Sequence, residues 1–119
     1  MTINTNKVLA VVGSRTFNDY SYLKEKLLLH KPKRIISGGA EGADSLAQRF
    51  CKEFGLPILI FYPDWKTYNK SAGMIRNSLI VNECEELVAF PVNNSKGTAD
   101  SIRKAREVEK IVYIYTERR

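Results

Sequence analysis

Five short apolar runs punctuate the chain: Val8-Leu9-Ala10-Val11-Val12, Arg34-Ile35-Ile36, Ile58-Leu59-Ile60-Phe61, Leu87-Val88-Ala89-Phe90 and Ile111-Val112-Tyr113-Ile114. They are continuous rather than alternating, the pattern of strands covered on both faces. Between them apolar residues recur at helical spacing, as Leu23/Leu27, Leu46/Phe50/Phe54, Ile75/Leu79 and Ile102/Ala105/Val108, with charged residues on the other faces. Asn18 or Asp19 can cap the first of these helices, and Gly55-Leu56-Pro57 stops the second.

The resulting order is βαβαβαβαβ. With right-handed crossovers it predicts an α/β fold, a Rossmann-like parallel five-stranded sheet with helices on both faces, formed by residues 1–119 as one domain. Ligands of such sheets sit beyond the carboxyl ends of the strands, where the strand order reverses. The loops that follow strands are therefore the ones to read for chemistry, and the unusual residues gather there: Gly13-Ser14-Arg15-Thr16, Ser37-Gly38-Gly39-Ala40-Glu41-Gly42-Ala43-Asp44, Tyr62-Pro63-Asp64-Trp65 and Asn93-Asn94-Ser95-Lys96-Gly97-Thr98.

In the second of these loops Gly38 and Gly39 let the backbone turn tightly beside a ligand, and Gly42 permits close helix–sheet packing. The helix opening near Ala43 would aim free N–H groups at a phosphate; equally, a strand entering a helix needs such a turn for its own sake. Ser37 stands where a dinucleotide fingerprint has its first glycine, and no Gly-Lys-Ser/Thr ending makes it a P-loop. In the first loop Arg15 offers a fork of donors to a phosphate or carboxylate and Ser14 a hydroxyl, unless Arg15 pairs with Asp19. Lys70, Gly73, Arg76 and Asn77 share one helix face, which either turns to the crevice, giving charge and an amide for a base or ribose, or is solvated. Trp65 and Tyr68 can stack on a base or plug the sheet edge. Gly97 and Thr98 form either a second amide cradle or a threonine cap.

Composition narrows the field. Hydrophobic residues at 44% and charged residues at 27% suffice for a core without disulfides or metal. Cys51 and Cys84, both in helix-like stretches with no C-x-x-C pair, suit a reducing compartment, and His30 has no histidine partner for zinc. The start Met1–Lys7 is polar and no run reaches transmembrane length, so a soluble, cytoplasmic protein that avoids membranes is expected. The formal net charge of +6 favours anionic partners without naming one.

The ordered set Gly-Ser-Arg-Thr-Phe, Ser-Gly-Gly-Ala-x-Gly-Ala-Asp, Trp with Lys-x-Ala-Gly-x-x-Arg-Asn, and Val-Ala-Phe with Gly-Thr resembles the YspA-like branch of the SLOG superfamily from about Val8 to about Tyr115. Its relatives include the DNA-processing protein DprA and the LOG phosphoribohydrolases. The resemblance implies a nucleotide-derived ligand at Gly13, Ser14, Arg15, Gly38, Gly39, Ala40, Gly42, Asp44, Arg76, Asn77, Gly97 and Thr98, with Lys70 added from the helix face above. LOG enzymes carry Pro-Gly-Gly-x-Gly-Thr-x-x-Glu, whose glutamate takes part in N-glycosidic cleavage; Ser101 stands at that position here. An enzyme of that type would need Asp100, Asp44 or Glu41 as its carboxylate, and Asp44 as acid/base with Arg76 as phosphate anchor is the candidate pair. Binding or sensing of a nucleotide derivative, N-glycosidic cleavage, and DprA-like nucleic-acid binding are the three functions to separate. Neither a cofactor nor a metal is implied. Self-association is expected, with Tyr62, Trp65, Tyr68 or Tyr20 covered by a second subunit.

Overall fold

A computed structural model of the chain describes residues 6–93 and 95–116. The strands are β1 (Val8–Gly13), β2 (Arg34–Ser37), β3 (Ile58–Ile60), β4 (Glu86–Phe90) and β5 (Ile111–Ile114). The helices are α1 (Tyr20–His30), α2 (Ala43–Phe54), the short α3 (Trp65–Tyr68), α4 (Ala72–Glu83) and α5 (Lys96–Glu107), with a 3-10 turn at Asn69–Ser71 between α3 and α4. All strands are parallel in the order β3-β2-β1-β4-β5. The fold is thus α/β and Rossmann-like, and the order reverses between β1 and β4.

Within each inner strand neighbouring side chains go to opposite faces. Leu9, Val11, Ile35, Val88 and Phe90 pack with Leu23 and Leu27 of α1 and with Ala43, Ala47, Phe50 and Cys51 of α2. Ala10, Val12, Ile36, Leu87 and Ala89 pack with Ile80 and Val81 of α4 and Ala105 of α5. Burying residues such as Leu27, Ile36 and Phe90 completely contributes about 1.5–3 kcal/mol each.

Local chemistry sets the element ends. The Asp19 carboxylate accepts from Tyr22 N–H at 3.0 Å and so caps α1. Gly55, at φ 66°, ends α2 in the left-handed conformation that favours glycine. Lys110 closes α4 from a distance, its ammonium donating to the carbonyls of Val81 (2.6 Å), Asn82 (3.1 Å) and Cys84 (2.6 Å).

Several expectations are corrected. The runs at β3 and β5, the sheet edges, are covered on both faces only in part: Ile58 and Tyr113 pack on the α1/α2 side and Leu59 and Val112 on the α4/α5 side, β3 stays half-buried, and Ile111 and Ile114 stay exposed. Helix α4 does not bury Ile75/Leu79: apolar residues lie all round it, and packing selects the Ala72, Asn77, Ile80, Val81 face, leaving Met74 and Leu79 in solvent. Phe54 and Val108 are exposed likewise. Cys84 lies just past α4 rather than within it. Both cysteines are buried free thiols, each pushed up to about 11 by burial. Among the described residues, no helix is long and apolar enough to cross a membrane.

Candidate functional site

A cavity of about 880 Å3 opens beyond the carboxyl ends of β1 and β4, at the reversal of strand order. That volume lies within the range of small-molecule sites. Its walls come from the β1 loop (Gly13 to Thr16), from Trp65 and Lys70, from the α4 face with Gly73, Met74, Arg76, Asn77 and Ile80, and from Val92, Asn93, Ser95 and the start of α5. Ala40 and Asp44 complete it. Of the predicted helix face, Gly73, Arg76 and Asn77 line the crevice from α4, and Lys70 lines it from the 3-10 turn ahead of that helix.

The first turn of α5 forms part of the wall. Ser95 caps α5, sharing a 2.7 Å hydrogen bond with the Thr98 hydroxyl and accepting from Thr98 N–H. Capping thus falls to Ser95, with buried Thr98 as its partner. The N–H groups of Lys96 and Gly97, in the first turn, have no carbonyl within the helix to pair with, and both residues line the cavity. A methyl group added at Gly97 would meet nothing within 4 Å. Arg15, Lys70 and Lys96 stand exposed in the cavity wall, and none forms an ion pair among the described residues.

The β2–α2 turn behaves differently from its sequence reading. Gly38, Gly39 and Gly42 do not line the cavity, since the protein's own atoms fill the space that their missing side chains leave. Arg76 Nη1 donates to the Gly38 carbonyl, the Tyr62 ring lies against Gly39, and the Ser14 and Arg15 backbone crosses Gly42. Gly42 therefore serves the approach of two loops rather than of a helix to the sheet. The α2 terminus is also occupied: Ala43 N–H donates to the Ser14 carbonyl at 3.2 Å, and the Asp44 carboxylate accepts from Ala40 N–H at 3.1 Å.

Two further predicted ligands hold the site together. The Ser14 hydroxyl donates to the Val92 carbonyl (2.8 Å) and accepts from Val92 N–H (2.6 Å), clamping the β1 loop to the β4 loop. Asn77 accepts from Arg76 Nε at 3.0 Å and donates to Asp100 at 3.1 Å and to the Gly97 carbonyl at 3.4 Å. Its amide orients Arg76 and ties α4 to α5, so it is not a free bidentate group. Arg15 is not paired with Asp19, whose carboxylate caps α1.

Electrostatics separate two carboxylates. Burial pushes Asp44 above the usual carboxylate range, against the Ala40 amide and the Arg76 guanidinium, which favour its charge. Arg76 is drawn below the usual arginine range by burial, with Asp44 opposing and the like charge of Arg15 adding to it. Asp100 moves the other way: partial burial works against its charge, but hydrogen bonds from Lys104, Asn77 and Arg103 outweigh it. Lys104 and Arg103 approach at 2.9 and 2.8 Å. Ser101 is buried in the cavity wall.

Sequence reasoning missed Met74 and Arg103 as wall residues, and it named Ser95 and Lys96 only as members of the loop after β4. Ser95 was legible as the first residue of Ser-x-x-Thr before a helix. Tyr20 proves unavailable as an exposed aromatic: its hydroxyl donates to Glu53, the Arg49 guanidinium lies 3.9 Å over its ring, and burial with the Glu53 carboxylate pushes its phenol up to about 12.

The sequence matches the YspA, cpYpsA-related SLOG family over residues 7–68, just over half of the chain. The chain belongs to that family. It is 30% identical over 108 residues to the Gene 61 protein of Mycobacterium phage D29, covering 82% of this chain and 86% of the phage protein. Its fold is shared by DNA processing protein A from Helicobacter pylori, a structure described for its single-stranded DNA binding mode, at a TM-score of 0.67 and 21% identity over 96% of this chain and 67% of that one. The SLOG assignment agrees with the motifs read from the sequence.

Proposed function

We propose that this SLOG domain binds a phosphate-bearing nucleotide or nucleotide derivative in the switch-point cavity. The observation that carries the reading is that the exposed cations Arg15, Lys70 and Lys96 line the same cavity as the first turn of α5. A phosphate placed there gains main-chain donors, the positive end of the helix dipole and a forked guanidinium. The rest of the wall, with Val12, Met74, Ile80 and the half-exposed Trp65 indole, suits the flat apolar face of a base. A thermal-shift series over nucleotides, cyclic nucleotides and ADP-ribose derivatives tests it. A ligand at a hundredfold excess over Kd stabilises by about 2.7 kcal/mol. Nucleotides should raise Tm more than the corresponding nucleosides; a series in which no phosphate-bearing compound shifts Tm overturns the proposal.

A second reading, cleavage of an N-glycosidic bond, is favoured by Asp44, a cavity carboxyl held toward its protonated form beside Arg76. Release of free base from the bound nucleotide, lost in Asp44→Asn with binding retained, supports it; binding without release leaves the sensing role. The nucleic-acid alternative has the Helicobacter pylori fold and the net charge behind it. It requires a gel shift that weakens steeply with salt.

A further inference from the structure

The two edges of the sheet are guarded unequally. β3 is three residues long, with Pro57 immediately before it and Pro63 shortly after. Proline and inward or outward charge are the usual means of keeping an edge from pairing with another chain. β5 has no proline, and the one lysine at its start is turned away, because Lys110 reaches the end of α4 instead. Ile111 and Ile114 on this edge remain 46% and 40% exposed.

The backbone of β5 adds a register. Tyr115 N–H donates to the Ala89 carbonyl at 2.9 Å, so by strand alternation Ile111, Tyr113 and Tyr115 bond toward β4, while Val112 and Ile114 turn their N–H and C=O outward. Lys110 N–H is already taken by the Ala105 carbonyl. An antiparallel pairing of β5 with itself centred on Val112 would set Ile114 opposite that occupied amide. Centred on Tyr113, it sets Val112 of each copy opposite Ile114 of the other. Each such pair exchanges two hydrogen bonds.

The flank of the edge fits the same symmetry. Val112 packs on the α4/α5 side of the sheet, and Ile114, two residues on, shares that face. Beside Ile114 runs a groove of about 550 Å3, with Ala99 and Ile102 apolar and Arg103, Arg106 and Glu107 at its rim. A two-fold axis at Tyr113 brings two such grooves together with their α5 helices antiparallel. Within each rim Arg103 and Glu107 already pair at 2.6 Å, which offsets part of the charge brought together there.

We propose that β5 is the contact edge for a second copy of this chain, so that two five-stranded sheets continue as one across a two-fold axis. This replaces the exposed aromatics beside the cavity as the expected self-association surface. Light scattering over a dilution series should report the mass of two chains for the parent protein. Ile114→Pro removes the outward donor together with the isoleucine side chain, and Ile114→Lys restores an edge charge; each should give the mass of one chain. Trp65→Ser should leave the pair intact. Hydrogen exchange on the parent protein decides the matter even where a variant fails to fold: the Val112 and Ile114 amides should be protected when concentrated and lose protection on dilution. A single-chain mass throughout, those amides exchanging freely at every concentration, or a pair broken by Trp65→Ser but not by the Ile114 variants overturns the proposal.

Discussion

The turn from β2 into α2 and the first turn of α5 after β4 both carry glycine where a strand gives way to a helix. In the first, Arg76, Tyr62 and the Ser14–Arg15 backbone fill the space beside Gly38, Gly39 and Gly42, and Asp44 occupies the first turn of the helix. In the second, Gly97 faces empty space and the first-turn amides open to the cavity. Glycine marks a close approach in the one case and room in the other. Which atoms make the approach depends on residues far away in sequence.

The largest test of that contrast is Gly42→Ala. The new Cβ would fall 2.2 Å from the Ser14 carbonyl oxygen, at a residue whose φ is 73°. Overpacking and backbone strain each cost about 1–3 kcal/mol, so a loss of about 3 kcal/mol or more is expected in a urea titration. A loss below about 1 kcal/mol would mean that the two loops are not held together as described.

Next comes Arg15→Ala, which should leave folding unchanged and weaken nucleotide binding tenfold to a hundredfold, or about 1.5–3 kcal/mol, measured by calorimetry. Parent-like affinity would remove the β1 loop from the site.

Asp44→Asn probes the filled turn through pH. Because its folded pKa lies above the unfolded value of about 3.9, the unfolded chain binds fewer protons in that window. This group's stabilising contribution is complete below about pH 3.9 and is lost as pH rises through the folded pKa. The amide can still accept from Ala40 N–H. Asp44→Asn should therefore be no less stable than the parent near neutrality, and its stability should lack that decline. An unchanged pH profile would show that Asp44 does not titrate in this way.

Gly97→Ala should have the smallest effect. It relieves the entropy cost of glycine in a helix and stabilises by roughly 0.5–1 kcal/mol. If a phosphate seats on this turn, the same methyl weakens its binding, and the pairing of higher Tm with lower affinity would locate the ligand. Unchanged affinity would move the phosphate away from Gly97.

The sheet was legible because its inner strands are uninterrupted apolar runs, and strand order placed the crevice without reference to any ligand. The cavity face of α4 was half legible: Arg76 and Asn77 line the cavity from the helix, but Lys70 does so from the 3-10 turn ahead of it, and a helix apolar on several sides does not declare which stripe is buried, so Leu79 was misassigned. The roles of Ser14 and Asn77 were not legible. Their partners, Val92 and Asp100, lie 78 and 23 residues away, and a hydroxyl or amide reads the same whether it meets a ligand or the chain itself.

Strand order also sets a sequence in time. β1, β2 and β3 come from the first 60 residues, whereas β4, the other neighbour of β1, begins only at Glu86. A chain emerging from the ribosome amino end first can pair three strands while the far edge of β1 stays bare. The cavity walls from β1 and β4 meet along that late seam. A nascent chain paused before Glu86 thus exposes the edge of its future central strand, and the cavity comes into being only when the second half docks.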